Sequence, residues 1–122
     1  MKSYFQFHSI PMKLKSAILK LELAVNILSS GPGHLRERLW YTYFHLQKIN
    51  AEDFPCTFKH RFLSVMNQLT RKESCVTSNG QMIDSIQNTL DSMNSNECIG
   101  VSEMIINLFY DLKLYSMESI SK

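Results

Sequence analysis

A chain of 122 residues, 44% hydrophobic and 20% charged, has the size and composition of one globular domain and can bury about two-thirds of its unfolded surface. That balance excludes an intrinsically disordered chain, and no run nears the roughly 20 apolar residues that a bilayer-crossing helix needs. The net charge of +2 conceals a swing: through residue 72, eleven Lys and Arg accompany four Asp and Glu, whereas from residue 73 onward two accompany seven.

Residues 1–11 read as an irregular lead, with weak strand character at Tyr4, Phe5, Phe7 and Ile10 before Pro11. This lead has neither an apolar core of signal length nor a small-residue cleavage site, so a cytoplasmic location is expected. Met12-Lys13-Leu14-Lys15 also has the look of a protein start, which makes Met12 an alternative initiator. Residues 12–118 are expected to form one helical domain, with 119–122 a short tail.

A first helix is predicted over 12–29, where Leu14, Ile18, Leu21, Val25 and Leu28 repeat in steps of four and three, with Ala17, Ala24 and Ile27 widening the stripe. Gly31-Pro32-Gly33 stops it, and so short a connection favours an antiparallel neighbour. The second helix, 34–49, turns Leu35, Leu39, Tyr43 and Leu46 inward and Arg38, Tyr41, His45 and Lys48 outward; Trp40 and Phe44 broaden its apolar face. Asp53 then reads as an N-cap and Pro55 as a first-turn residue of a third helix reaching 72, striped by Phe58, Phe62, Val65 and Leu69. Residues 73–80 are the most loop-like internal segment. A fourth helix over 81–94 presents Ile83, Ile86, Leu90 and Met93. Ser95 is a cap for a fifth over 96–116, with Cys98, Val101, Ile105, Leu108, Leu112 and Tyr115 inward. The fold class expected is therefore a single all-α bundle of about five amphipathic helices.

Cys56, Cys75 and Cys98 are odd in number, widely spaced and free of any Cys-x-x-Cys pair, which argues against a disulfide framework. Cys56 and Cys98, inside predicted helices, are expected to be buried, and Cys75 exposed in its loop. Neither a metal site nor a cofactor is expected, since His8, His34, His45 and His60 form no His-x-x-x-His or His-x-x-Glu pair and no Gly-rich phosphate loop precedes a Lys-Ser/Thr. Nor is there a Gly-x-Ser-x-Gly elbow.

Two surfaces remain. Arg36, Arg38, Lys48, Lys59, His60, Arg61, Arg71 and Lys72 cluster on the second and third helices, with Tyr41 available for base stacking, a pattern suited to nucleic acid. The opposing reading is that the basic and acidic parts pack together and neutralise each other. Within that face, Arg38 and His45 lie seven residues apart, nearly two turns, and so share a side of the helix. The pair resembles the Arg-x4-6-His motif of HEPN ribonucleases, helical bundles in which the Arg and His act on the RNA backbone. That resemblance would make Arg38 a phosphate-binding group and His45 a proton carrier. The position after the Arg, usually polar in that motif, is Leu39 here.

A second resemblance rests on His34-Leu35-Arg36-Glu37-Arg38-Leu39, on Glu52-Asp53-Phe54-Pro55, and on Leu69-Thr70-Arg71. It is to a group of small bacterial helical proteins sharing a Leu-Arg-Glu-Arg-Leu helix, a Glu-Asp-Leu/Phe-Pro turn and a Leu-Thr-Arg helix end, over residues 14–115. The resemblance implies a helical fold and a bacterial source and supplies no catalytic residues. The function read from the sequence is thus a non-enzymatic protein-interaction module: a regulator, adaptor or toxin-neutralising partner. Its partner would be another protein or a second copy, its binding surface Arg38, Trp40, Tyr41, His45 and Lys48, and its alternative role RNA cleavage or nucleic-acid binding through Arg38 and His45.

Overall fold

The computed structural model describes residues 11–121, so the lead up to residue 10 and its strand character lie outside the described residues. Five α-helices are formed there: α1 (Met12–Ser30), α2 (Leu35–Leu46), α3 (Cys56–Leu69), α4 (Ser85–Ser92) and α5 (Ser95–Ser121). A 3-10 turn, Ala51–Asp53, links α2 to α3, and a two-stranded antiparallel ribbon, β1 (Cys75–Val76) with β2 (Met82–Ile83), links α3 to α4. The class is all-α.

Helix α5 is the spine, in contact with α1, α2 and α3. Pro11 and Leu14, where α1 begins, line one groove with Tyr115 near the end of α5, so these two helices run antiparallel. Arg61 meets Asp111 and Arg71 meets Glu97, which sets α3 antiparallel to α5 as well. The predicted stripes supply the core: Leu21, Leu39, Leu46, Leu69, Leu90, Ile105, Leu108 and Leu112 are almost wholly buried. Each such side chain contributes roughly 1.5–3 kcal/mol through the water it excludes.

The departures have local causes. Pro55, not Asp53, occupies the N-cap of α3, because Asn50 caps the intervening 3-10 turn by accepting the Glu52 N–H at 3.0 Å. Cys56 consequently sits in the first turn of α3 and is exposed, contrary to expectation; Cys98 is buried and Cys75 exposed. Helix α3 ends at Leu69 instead of 72, since the backbone beyond it finds partners on α4: Thr89 Oγ1 accepts from Lys72 N, Ser85 Oγ donates to Thr70 O, and Asn88 Nδ2 donates to Glu73 O. Residues 81–83, predicted as helix, are claimed by the ribbon. Gly80 donates to Thr77 O at 2.9 Å and adopts φ +85°, the backbone state that makes Asn79-Gly80 a hairpin signal. Asp84 then caps α4 by accepting from Gln87 N. Asn94, not Ser95, caps α5, and the helix runs on through Ser121, across most of the predicted tail. Tyr115, placed inward by periodicity, is 38% exposed.

Candidate functional site

The connection from α1 to α2 decides where the predicted surface residues point. Gly31 packs so tightly that a Cβ on it would lie 2.4 Å from Ile27 O, and Gly33 holds φ +90°. The chain therefore turns within three residues and begins α2 at Leu35, where the Glu37 carboxylate accepts the His34 backbone N–H at 3.2 Å and ties down one of the unpaired donors of the first turn.

From this start the two arginines of the Leu-Arg-Glu-Arg-Leu run diverge. At 100° per residue, Arg38 and His45 fall on the flank of α2 toward α1, while Arg36 and Trp40 fall on the flank toward α4. Arg38 Nη1 donates to Leu28 O at 2.8 Å, satisfying a carbonyl in the last turn of α1 that has no helical partner. Its Nε is buried without a partner, as is the hydroxyl of Thr42 one turn on. Arg36 Nη2 donates to Met93 O at 2.5 Å, the residue that ends α4. Both guanidiniums thus close helix C-termini, where cationic donors are favoured by the helix dipole.

The rest of the basic cluster is similarly engaged. Lys59 pairs with Glu52 at 2.6 Å, Arg61 with Asp111 at 2.8 Å and Arg71 with Glu97 at 2.9 Å. The last two link the basic part of the chain to the acidic part across α3 and α5. Glu97 is held below the ordinary carboxylate pKa, first by the Asn94 backbone N–H it accepts and then by Arg71. Five of the eight predicted nucleic-acid-facing cations therefore have partners within the fold, and Lys48, His60 and Lys72 remain exposed.

Of the five predicted binding-surface residues, the structure brings Trp40 and Tyr41 together at one cleft and leaves Arg38, His45 and Lys48 outside it. That cleft, about 340 Å3, is lined by His34, Arg36, Glu37, Trp40, Tyr41, Gln87 and Leu90. A second groove of about 370 Å3 shares His34 and Arg36 and continues to Ser95, Cys98 and Ile99. The Trp40 ring stands edge-on to Tyr41 and to Phe44, with centroids 5.1 and 4.7 Å apart. Trp40 is half-buried, whereas Tyr41 and Phe44 are 49% and 37% exposed, so the cluster presents rigid aromatic edges to solvent. Gln87, Leu90 and Glu37 went unremarked in the sequence as binding residues; tertiary packing of α4 on α2 places Gln87 and Leu90 beside Trp40, and Glu37 is there as its neighbour one turn back on α2.

Among the described residues, no three His, Cys, Asp or Glu side chains converge as metal ligands, and no helix is long and apolar enough to cross a membrane. Comparison with protein-family models, curated proteins and solved structures found no match to this chain.

Proposed function

We propose that this chain is a non-enzymatic helical interaction module, cytoplasmic and acting as a regulator, adaptor or neutralising partner, whose partner protein docks at the α2 cleft. The observation that carries the reading is the Trp40, Tyr41 and Phe44 cluster beside an open cleft bordered by Arg36. Trp, Tyr and Arg are the side chains that most often anchor protein interfaces, since they bury a large area at small entropic cost and keep a polar handle. A cleft with an apolar floor at Leu90 and a polar rim at His34, Glu37 and Gln87 suits one inserted apolar side chain surrounded by hydrogen bonds.

The ribonuclease alternative asks Arg38 to hold a phosphate. Its guanidinium already donates to Leu28 O, and binding a phosphate would leave that carbonyl unpaired. Arg38, Lys59, Arg61 and Arg71 are engaged by internal partners, which weakens the nucleic-acid alternative and supports the protein partner over it. The shared pattern with small bacterial helical proteins, on this reading, reports a common way of closing helix ends: Arg36 and Arg38 do so directly, and Thr70 donates to Met66 O at 2.7 Å.

The test is paired affinity capture from the source cell with the wild-type chain and Tyr41→Ala/Phe44→Ala. A protein retained by the first and lost by the second supports the reading. Recovery of RNA, or equal retention by both chains, contradicts it. Because Trp40 is the sole tryptophan, its fluorescence reports whether the recovered partner reaches the cleft.

A further inference from the structure

The outer face of α5 carries a pattern that core packing uses only at Ile106, which packs partly against the core. Ile99, Glu103, Ile106, Tyr110, Lys113 and Met117 follow one another in steps of four, three, four, three and four, the spacing of a helix–helix seam. They lie on the side opposite Val101, Ile105, Leu108 and Leu112, which fill the core. Tyr110 is 56% and Met117 59% exposed, and Ile106 is half-buried. Glu103 makes no ion pair among the described residues. A solvated helix face of a monomer has no need of apolar residues at this spacing.

We infer that this face is a two-fold seam on which a second copy of the chain docks with its own α5 antiparallel. The series is symmetric about position 108. An antiparallel copy therefore sets Ile99 against Met117, Ile106 against Tyr110, and Glu103 against Lys113, each contact made twice across the axis. The charges select both occupant and orientation: a parallel copy opposes Glu103 to Glu103 and Lys113 to Lys113, whereas the antiparallel one forms two ion pairs. Polar residues within an apolar seam act in this way, fixing register at some expense of stability. The Lys113 ammonium rests 5.4 Å from the centroid of the Phe109 ring, one turn back on the same helix. The seam adjoins the groove beside the α2 cleft at Ile99 and shares no residue with the cleft itself, so neither reading depends on the other.

Sedimentation equilibrium across the micromolar range tests it on the full chain. The wild type is expected to approach about twice its 14.2 kDa mass. Glu103→Lys and Lys113→Glu should each weaken association roughly tenfold, since each reversal acts twice across the axis, and Glu103→Lys/Lys113→Glu together should restore it. Tyr110→Asp should abolish the dimer with helical circular dichroism unchanged. A monomer at every concentration overturns the inference. So does a dimer indifferent to the single reversals, or a double reversal as weak as either single.

Discussion

Replacing Arg38 with alanine removes the Nη1 donor that closes the last turn of α1, and the consequences can be worked from the bond itself. A hydrogen bond from a charged donor is worth about 1.5–3 kcal/mol, and the Leu28 carbonyl it leaves behind sits in the partly buried junction of α1 and α2. Against this, the substitution also deletes an Nε that is buried without a partner, which returns about 1 kcal/mol. The net expected loss is about 1 kcal/mol. For a domain of this length that lowers the melting temperature by about 4 °C. Arg38→Met keeps the apolar stem and should lose less than alanine. Lys48→Ala, at an exposed position in the turn that follows α2, should stay within about 0.5 kcal/mol of wild type. Urea unfolding followed by circular dichroism measures all three. If Arg38→Ala unfolds at the same midpoint as Lys48→Ala, the guanidinium is not closing α1, and its availability to a phosphate is restored.

Three further outcomes follow from the same geometry. The Glu97 carboxylate is stabilised in its charged form, so its contribution is present above the ordinary glutamate pKa and is lost as pH falls through its lowered folded value; the stability gap between wild type and Glu97→Gln should be full at neutral pH and vanish in strong acid, as read by unfolding at a series of pH values. Gly31→Ala should destabilise by more than about 1 kcal/mol, because the new methyl group meets the Ile27 carbonyl oxygen, while Gly100→Ala, which meets nothing within 4 Å inside α5, should stabilise by about 0.5–1 kcal/mol in the same assay. Tyr41→Ala should cost no more than about 1 kcal/mol of stability, since its ring is half exposed and meets Trp40 edge-on, and should act mainly on partner binding.

What the sequence reveals here is mostly what a helix's own period can encode. The stripes Leu14–Leu28 and Cys98–Leu112 predict α1 and α5, because a buried face must recur every three or four residues whatever it packs against. Helix ends are legible less well, since they are decided by partners elsewhere in the chain. Nothing near Arg71 says that α3 stops at Leu69; the reason is Ser85, Asn88 and Thr89 on α4. The Asn79-Gly80 hairpin carried its signal openly, but the ribbon is two residues a strand and its flanking apolar residues fit a helix period equally well. Arg38 and His45 share a face as expected from seven-residue spacing, yet spacing does not say which neighbour that face meets. It meets α1, and a residue that resembled a phosphate binder is found closing a helix. The outward Leu19 and Leu23 on α1, 61% and 57% exposed, were likewise absent from the stripe reading because periodicity identifies the inner face and says nothing about apolar residues left on the other.

Site-specific photo-crosslinking in the source cell tests the central reading most directly. A photoreactive phenylalanine analogue at Tyr41, beside the cleft, is compared with the same group at His60, an exposed position on α3. The account predicts a discrete protein adduct from position 41 and none from position 60. Crosslinking to RNA from position 41, or the same adducts from both positions, would contradict it.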